Sequence, residues 1–258
     1  MIARNRFPVI KLREPVSILM PVSNEVDVIE KVIEEWVQDV ITYLPPGSEF
    51  LFDEAASTDG TREILHRLTV KYSFINVEYR DKKDGFANAA LRLYKRAKCP
   101  WVFFSDSDGQ YIARDFWKLA KYIDGDFDLI RGAKIGRKDP IIRRIASAIF
   151  NKIIFFLFHI NYLDFNSAFF LIRRDVLQNI LPELVCMPTL INTELLLRLE
   201  LENHLIKQIY VLHRQRLYGV SRGLAPSTFL LHSLRSLRGL YCIKSSYRLR
   251  IHEDIKVD

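Results

Sequence analysis

Short apolar runs alternate along the chain with stretches in which apolar positions recur every three to four residues. VSILM at 16–20, EFLF at 49–52, INVEY at 75–79, WVFF at 101–104 and FDLIRG at 127–132 read as strands. The intervening segments, 24–40, from about 61, 86–97 and 113–123, carry the period of amphipathic helices. Asn24 is placed to cap the first of these, and Thr58 or Asp59 the second. Continuous apolar strands such as WVFF suit a parallel sheet covered on both faces. Alternating strands and helices predict mostly parallel strands with right-handed crossovers, a layered α/β fold. A strongly apolar helix over 140–159 follows, then a strand AFFLI at 168–172 and helices near 175–180 and 192–201. A strand IYVLH at 209–213 and a basic-apolar segment near 227–241 complete the pattern. With no repeat, low-complexity tract or clear linker, one domain with a C-terminal extension is expected.

Composition narrows the class. The 258 residues are 49% hydrophobic and 27% charged, the balance of a folded protein long enough to bury a sizeable core. Cys99, Cys186 and Cys242 are odd in number, far apart and form no CxxC pair, so no disulfide framework or zinc knuckle is expected. A reducing compartment follows from that reading. The N-terminal MIARNRFPVIKLREP lacks the apolar centre of a signal peptide, and IIFFLFHI at 153–160 is too short to cross a bilayer. The expected location is therefore cytoplasmic. The net charge of +7 is uneven: eight Lys/Arg and no Asp/Glu lie between His213 and His252. Such a surface favours polyanions, although a solvated basic face has the same composition.

Candidate chemistry begins at SDSDGQY, 105–111. Extended backbone there sets Asp106 and Asp108 on one side of the chain, at the strand end where open α/β sheets bind ligands. The pair suits Mg²⁺ or Mn²⁺ held jointly with substrate phosphates. It equally suits a turn that satisfies local amides before glycine, and spacing alone leaves both readings open. FDEAASTDGT at 52–61 and MPVSNE at 20–25 put polar turns after two further strands, outlining an edge for a nucleotide. Competing motifs fail. GxxxxGK[ST], GxGxxG and HExxH are absent, and position twelve of a calcium loop begun at Asp106 is Trp117. GVSRG at 219–223 matches a GxSxG elbow, but no acid followed by histidine comes after the serine.

VSILMPVSNE, STDGT, GFANAALRLYKRAK, SDSDGQY, DFNSAFFLIRRDVL and HRQRLYGVSRG occur in this order along the chain. In that order and spacing the sequence resembles family 2 glycosyltransferases over roughly 16–223, closest to the dolichyl- or polyprenyl-phosphate hexosyltransferase branch. The resemblance implies a GT-A fold, a nucleotide-sugar donor, inversion at the anomeric carbon and a divalent cation, Mg²⁺ or Mn²⁺. It implies a catalytic domain at 16–223, between a lead at 1–15 and a basic extension at 224–258. By matching position, Pro21, Val22 and Glu25 would line the nucleoside pocket. Asp106 and Asp108 would be the metal pair, Asp108 the direct ligand, with the polar Gln110 behind them. Lys134 would meet the diphosphate, Asp164 would face the acceptor as a catalytic residue, the base for a hydroxyl or an orienting group for a phosphate, and Glu194 would lie on the acceptor side. Arg216, Ser221 and Arg222 match a loop over the phosphates. The family's acid that reads the nucleobase is here replaced by Ala55, leaving Glu54 or Asp53 as the nearest substitutes, and Ser23 replaces a common aromatic.

A polyprenyl phosphate acceptor would account for the 140–159 helix, whose apolar residues with Arg143, Arg144 and Lys152 suit an interfacial helix on an anionic membrane surface. A buried core helix is the competing reading. FLLHSLRSLRGLYCIKSSYRLR at 229–250 shares the character and suits either the membrane or a homo-oligomer contact. The expectation is a peripheral enzyme at the cytoplasmic membrane face, with no nucleic-acid partner. The alternatives are the same chemistry on a glycan or other soluble hydroxyl acceptor, or a degenerate nucleotide-sugar-binding scaffold.

Overall fold

The computed structural model describes residues 10–135, 141–216 and 234–247. Its described strands form one seven-stranded sheet in the order β3-β2-β1-β4-β6-β5-β7. β1 (Val16–Val22), β2 (Glu49–Ala55), β3 (Ile75–Arg80) and β4 (Trp101–Ser105) are mutually parallel. β5 (Leu129–Ile135) pairs in parallel with β7 (Ile206–Leu212). β6 (Phe169–Arg173) runs antiparallel between β4 and β5. That reversal brings the chain entering β6 to the edge where the parallel strands end.

Helices cover both faces because the central strands are apolar on both. β4 shows this directly. Phe103 turns to one face, where it meets Trp36 of α1 (Ile29–Asp39) at 5.3 Å between ring centroids, and Phe116 at 5.0 Å. Phe104 turns to the other, against Tyr94 of α3 (Phe86–Arg96) at 5.3 Å and stacked on Phe170 at 5.4 Å. Alternation along one strand thus feeds two aromatic layers of the core.

Two expected helices are shorter than their periodicity. The 24–40 helix begins at Ile29, and Asn24 does not cap it: Asn24 has φ 53° and its Oδ1 accepts from the Thr58 N–H at 2.7 Å. The 113–123 helix is a 3₁₀ turn, Ala113–Asp115, followed by α4 (Phe116–Ala120). α2 (Thr61–Lys71), α5 (Ile141–Phe158), α6 (Arg174–Ile180) and α7 (Ile191–Leu201) stand close to where the pattern puts them.

Residues 234–247 form a helix that belongs to the same body, with Leu240 and Ile243 fully buried. Its Lys244 Nζ donates to the Leu157 carbonyl of α5 at 2.9 Å. The expectation that the cysteines form no disulfide is corrected here. Cys186 and Cys242, 56 positions apart, are disulfide-bonded with their Cα atoms 5.8 Å apart, and Cys99 is free and buried. Docking of this helix against the 185–187 turn creates the proximity, which linear spacing does not reveal. The 223/224 boundary lies outside the described residues.

Candidate active site

The turns after β1 and β2 are stitched together. Asn24 N–H donates to Ser57 Oγ and Glu25 N–H to Thr61 Oγ1, both at 2.8 Å, while Val26 N–H reaches Asp59 Oδ2 at 3.3 Å. Asp59 Oδ1 also accepts from the Thr61 N–H at 3.1 Å and hydroxyl at 2.6 Å. Burial raises the Asp59 carboxyl, but these hydrogen bonds from Thr61 and Val26 outweigh it and hold the group below the ordinary carboxylate range. The lattice fixes Glu25 at the sheet edge.

At the end of β4, Gly109 takes φ 72°, and the Gln110 N–H closes a short turn on Asp108 Oδ1 at 3.0 Å. The bland role of this acid pair is thus real for Asp108. Asp106 is different: burial and then the negative charge of Asp108 push its carboxyl up to about 7, with Glu25 adding to the rise and Lys134 and Arg216 opposing it. Arg216 Nη2 donates to both oxygens of Glu25, at 2.7 and 2.5 Å, and its Nη1 lies 4.0 Å from Asp108. Lys134, near the end of β5, is 3.5 Å from Asp164 Oδ2. Asp164 is buried, and its Oδ1 accepts from the Asn166 N–H at 3.2 Å. Six of the expected residues (Glu25, Asp106, Asp108, Lys134, Asp164 and Arg216) therefore form one charged cluster at the carboxyl edge of the parallel strands.

Among the described residues no group of three or more His, Cys, Asp or Glu side chains is arranged to hold a metal alone. Asp106 and Asp108, two positions apart just after β4, fit Mg²⁺ or Mn²⁺ only jointly with a substrate, since these ions take one or two carboxylates and complete their shell with phosphate and water.

Other expected residues lie elsewhere. Pro21 and Val22 are buried at the end of β1, in register with Asp53 and Glu54. Glu54, considered for the donor, is fully buried and directed at Arg62 (2.8 Å) and the Ser57 N–H (2.6 Å). Asp53 receives a two-pronged contact from Arg92, 2.8 Å to each oxygen. Glu54 faces the opposite side of β2 from Ala55, and Asp53, which shares the Ala55 face, is engaged by Arg92 and Arg80, so neither acid takes the place of Ala55. Glu194 is buried in α7, where its carboxylate accepts from the N–H groups of Val185, Cys186 and Met187 (3.1, 3.0 and 2.6 Å) and from Arg198 (3.0 Å). That set of donors engages it in holding the 185–187 turn. Ser221 and Arg222 lie outside the described residues.

Two neighbours of the cluster escape sequence reasoning. Buried Arg131 donates to the Asp164 carbonyl and lies 5.2 Å from the Tyr162 ring centroid. Tyr111, buried, hydrogen-bonds Ser167 at 3.3 Å, and Lys134 Nζ sits 5.9 Å from its ring centroid. The available signal was an arginine inside the apolar run LIRG, since a charge at a buried register position needs a partner.

Residues 17–181 match the family model described as "Glycosyl transferase family 2". TuaG of Bacillus subtilis (strain 168), named for a glycosyltransferase of teichuronic acid biosynthesis, is 34% identical over 106 residues, 41% of this chain. The match spans 38% of that relative's length. The fold is similar to glucosyl-3-phosphoglycerate synthase from Mycobacterium tuberculosis, solved with Mn²⁺, UDP-glucose and phosphoglyceric acid (TM-score 0.69, 18% identity, 90% of this chain and 80% of that one). It is also similar to the mannosyltransferase PcManGT from Pyrobaculum calidifontis, solved with GDP-mannose and Mn²⁺ (TM-score 0.60, 14% identity, 95% and 77% covered).

Proposed function

Because the chain belongs to glycosyl transferase family 2 and has the GT-A fold, we propose that it transfers a hexose from a nucleotide-diphosphate sugar to a polyprenyl phosphate, with inversion. The observation carrying this reading is the convergence of acids and bases on one sheet edge, described above. Asp106 and Asp108 would hold Mg²⁺ or Mn²⁺, which neutralises a departing diphosphate when bound. Arg216 and Lys134 present positive charge to the same group, where charge develops as the sugar–phosphate bond breaks. Fixed placement of donor and acceptor supplies the rest of the rate. Asp164, anchored by Lys134, Arg131 and the Asn166 N–H, faces the acceptor. A phosphate nucleophile is already anionic, so Asp164 then orients it; a hydroxyl nucleophile needs it as general base.

Support for a lipid acceptor comes from two apolar stripes. Ile145, Ile149 and Phe156 of α5 are 55%, 55% and 74% exposed, and Leu234, Leu237 and Tyr241 of the last described helix are 56%, 40% and 74% exposed. Both sets keep helical spacing along one face, and Lys152, Arg235 and Arg238 accompany them. No described helix is long and apolar enough to cross a membrane. The proposed contact is peripheral, through these two stripes. The second reading, a soluble acceptor, draws support from the phosphoglyceric acid bound in a similar structure.

The test is turnover and binding against a panel of nucleotide sugars, with Mn²⁺ and with chelator. Metal-dependent transfer or donor hydrolysis is expected. Asp108→Asn is expected to lower it by about 10²-fold or more while leaving the melting temperature unchanged. Binding without turnover would indicate a scaffold, and no binding to any donor with metal present would refute the reading.

A further inference from the structure

Glu35 lies on α1, outside every motif that marks the site, yet two parts of the site converge on it. Its Oε1 accepts from the Ala113 N–H at 3.0 Å, just beyond the Asp106–Tyr111 turn. The same oxygen accepts from Arg214 Nη2 at 2.6 Å, and Oε2 accepts from Arg214 Nη1 at 3.1 Å. Such a two-pronged fork fixes orientation as well as distance. Arg214 is also tied through its backbone, since its N–H donates to the Gln110 carbonyl at 2.7 Å and its carbonyl accepts from Gln110 Nε2 at 3.1 Å. His213 pairs with Tyr111 in an antiparallel bridge, and the Leu212 N–H donates to Asp115 Oδ2 at 3.0 Å. The arm leaving β7 is thus laced to the 110–115 turn and clamped to α1. Two residues on, Arg216 reaches Glu25 and Asp108.

We propose that the Glu35–Arg214 pair is the pivot that positions Arg216 and the Asp106–Asp108 turn relative to each other. The proposal rests on the glycosyltransferase reading for its consequence in catalysis, not for its geometry. Glu35 touches no reacting group; it acts through Arg214 and Ala113. A half-buried pair with good fork geometry between elements far apart in sequence has reason to be precise: an ångström of displacement at Arg216 moves its charge off the diphosphate. Gln110 serves the same pivot, a role distinct from direct contact with the donor.

The experiment compares wild type, Glu35→Gln and Glu35→Ala in the full chain. Hydrogen exchange of metal-free protein is read over peptides covering 106–115 and 210–216, alongside thermal melting and steady-state kinetics with the best donor and Mn²⁺. Glu35→Ala is expected to speed exchange in those two segments and leave the rest of the sheet protected. Its kcat is expected to fall about tenfold or more, with a smaller change in donor KM. Glu35→Gln, which keeps an acceptor for Ala113 but loses the ion pair, is expected to fall between and remains informative if the alanine variant does not fold. Unchanged exchange at 210–216 or unchanged kcat would overturn the proposal. So would faster exchange spread through the whole sheet, which marks a purely structural residue. If wild type turns over no nucleotide sugar, the enzymatic reading fails, while the exchange data still decide whether Glu35 holds the two segments.

Discussion

Asp53 and Glu54 are neighbours at the end of β2, yet one is held by Arg92 and Arg80 and the other by Arg62. Strand alternation separates them, and full burial makes each depend on its arginine partners. Asp59, five residues later, organises the edge through hydrogen bonds instead. Asp59→Ala is expected to cost about 1 kcal/mol at pH 7, the loss of a carboxylate that accepts from the Val26 and Thr61 N–H groups. Its folded-state pKa lies below its unfolded one, so its contribution is complete above the unfolded value near ~3.9 and disappears as pH falls through the folded one. Urea unfolding of wild type and variant should therefore differ at pH 7 and converge in acid; a constant gap would contradict the role. Ala55 stands in the sequence where the family resemblance expects a base-reading acid. That Asp53 and Glu54 do not replace it was not legible there, because their arginine partners come from α2, β3 and α3.

The 140–159 helix admitted both a core and an interfacial reading, and α5 is buried on one side and exposed on the other. Ile154 is fully buried, while Ile149 and Phe156 face outward. The helix of residues 234–247 is held by its own packing and by the Cys186–Cys242 bond. Gly239 lies so near the 185–187 turn that a Cβ would come within 2.7 Å of Met187 Cγ and 2.8 Å of the Cys186 carbonyl oxygen. That turn cannot easily yield, since Glu194 ties down its three N–H groups. Gly239→Val is expected to destabilise by about 1–3 kcal/mol through overpacking. Under reducing conditions, limited proteolysis should cut the variant first near this helix; wild-type resistance in the variant would show that the turn adapts.

For the whole molecule, the decisive question is what meets the two exposed stripes. Anionic vesicles are expected to float the wild-type protein at low salt, with binding reduced at high salt as surface charges are screened. Phe156→Glu combined with Tyr241→Glu is expected to leave the protein unfloated with its melting temperature unchanged. Wild type staying with the soluble fraction would favour a soluble acceptor, and a concentration-dependent dimer lost in the double variant would assign the stripes to a second copy.

Apolar periodicity and residue order determined the α/β class, all seven strands and the acids at the ends of β1 and β4, because these follow from local burial and strand alternation. The antiparallel course of β6, which delivers Asp164 to the same edge, required the tertiary fold. So did the pairing of Cys186 with Cys242, the ion pairs that engage Asp53 and Glu54, and the convergence of Glu35 on Arg214. Each of these joins residues distant in sequence, and their partners are chosen by how the layers pack rather than by any local pattern. SDSDGQY marked a candidate centre; packing decided which side chains surround it.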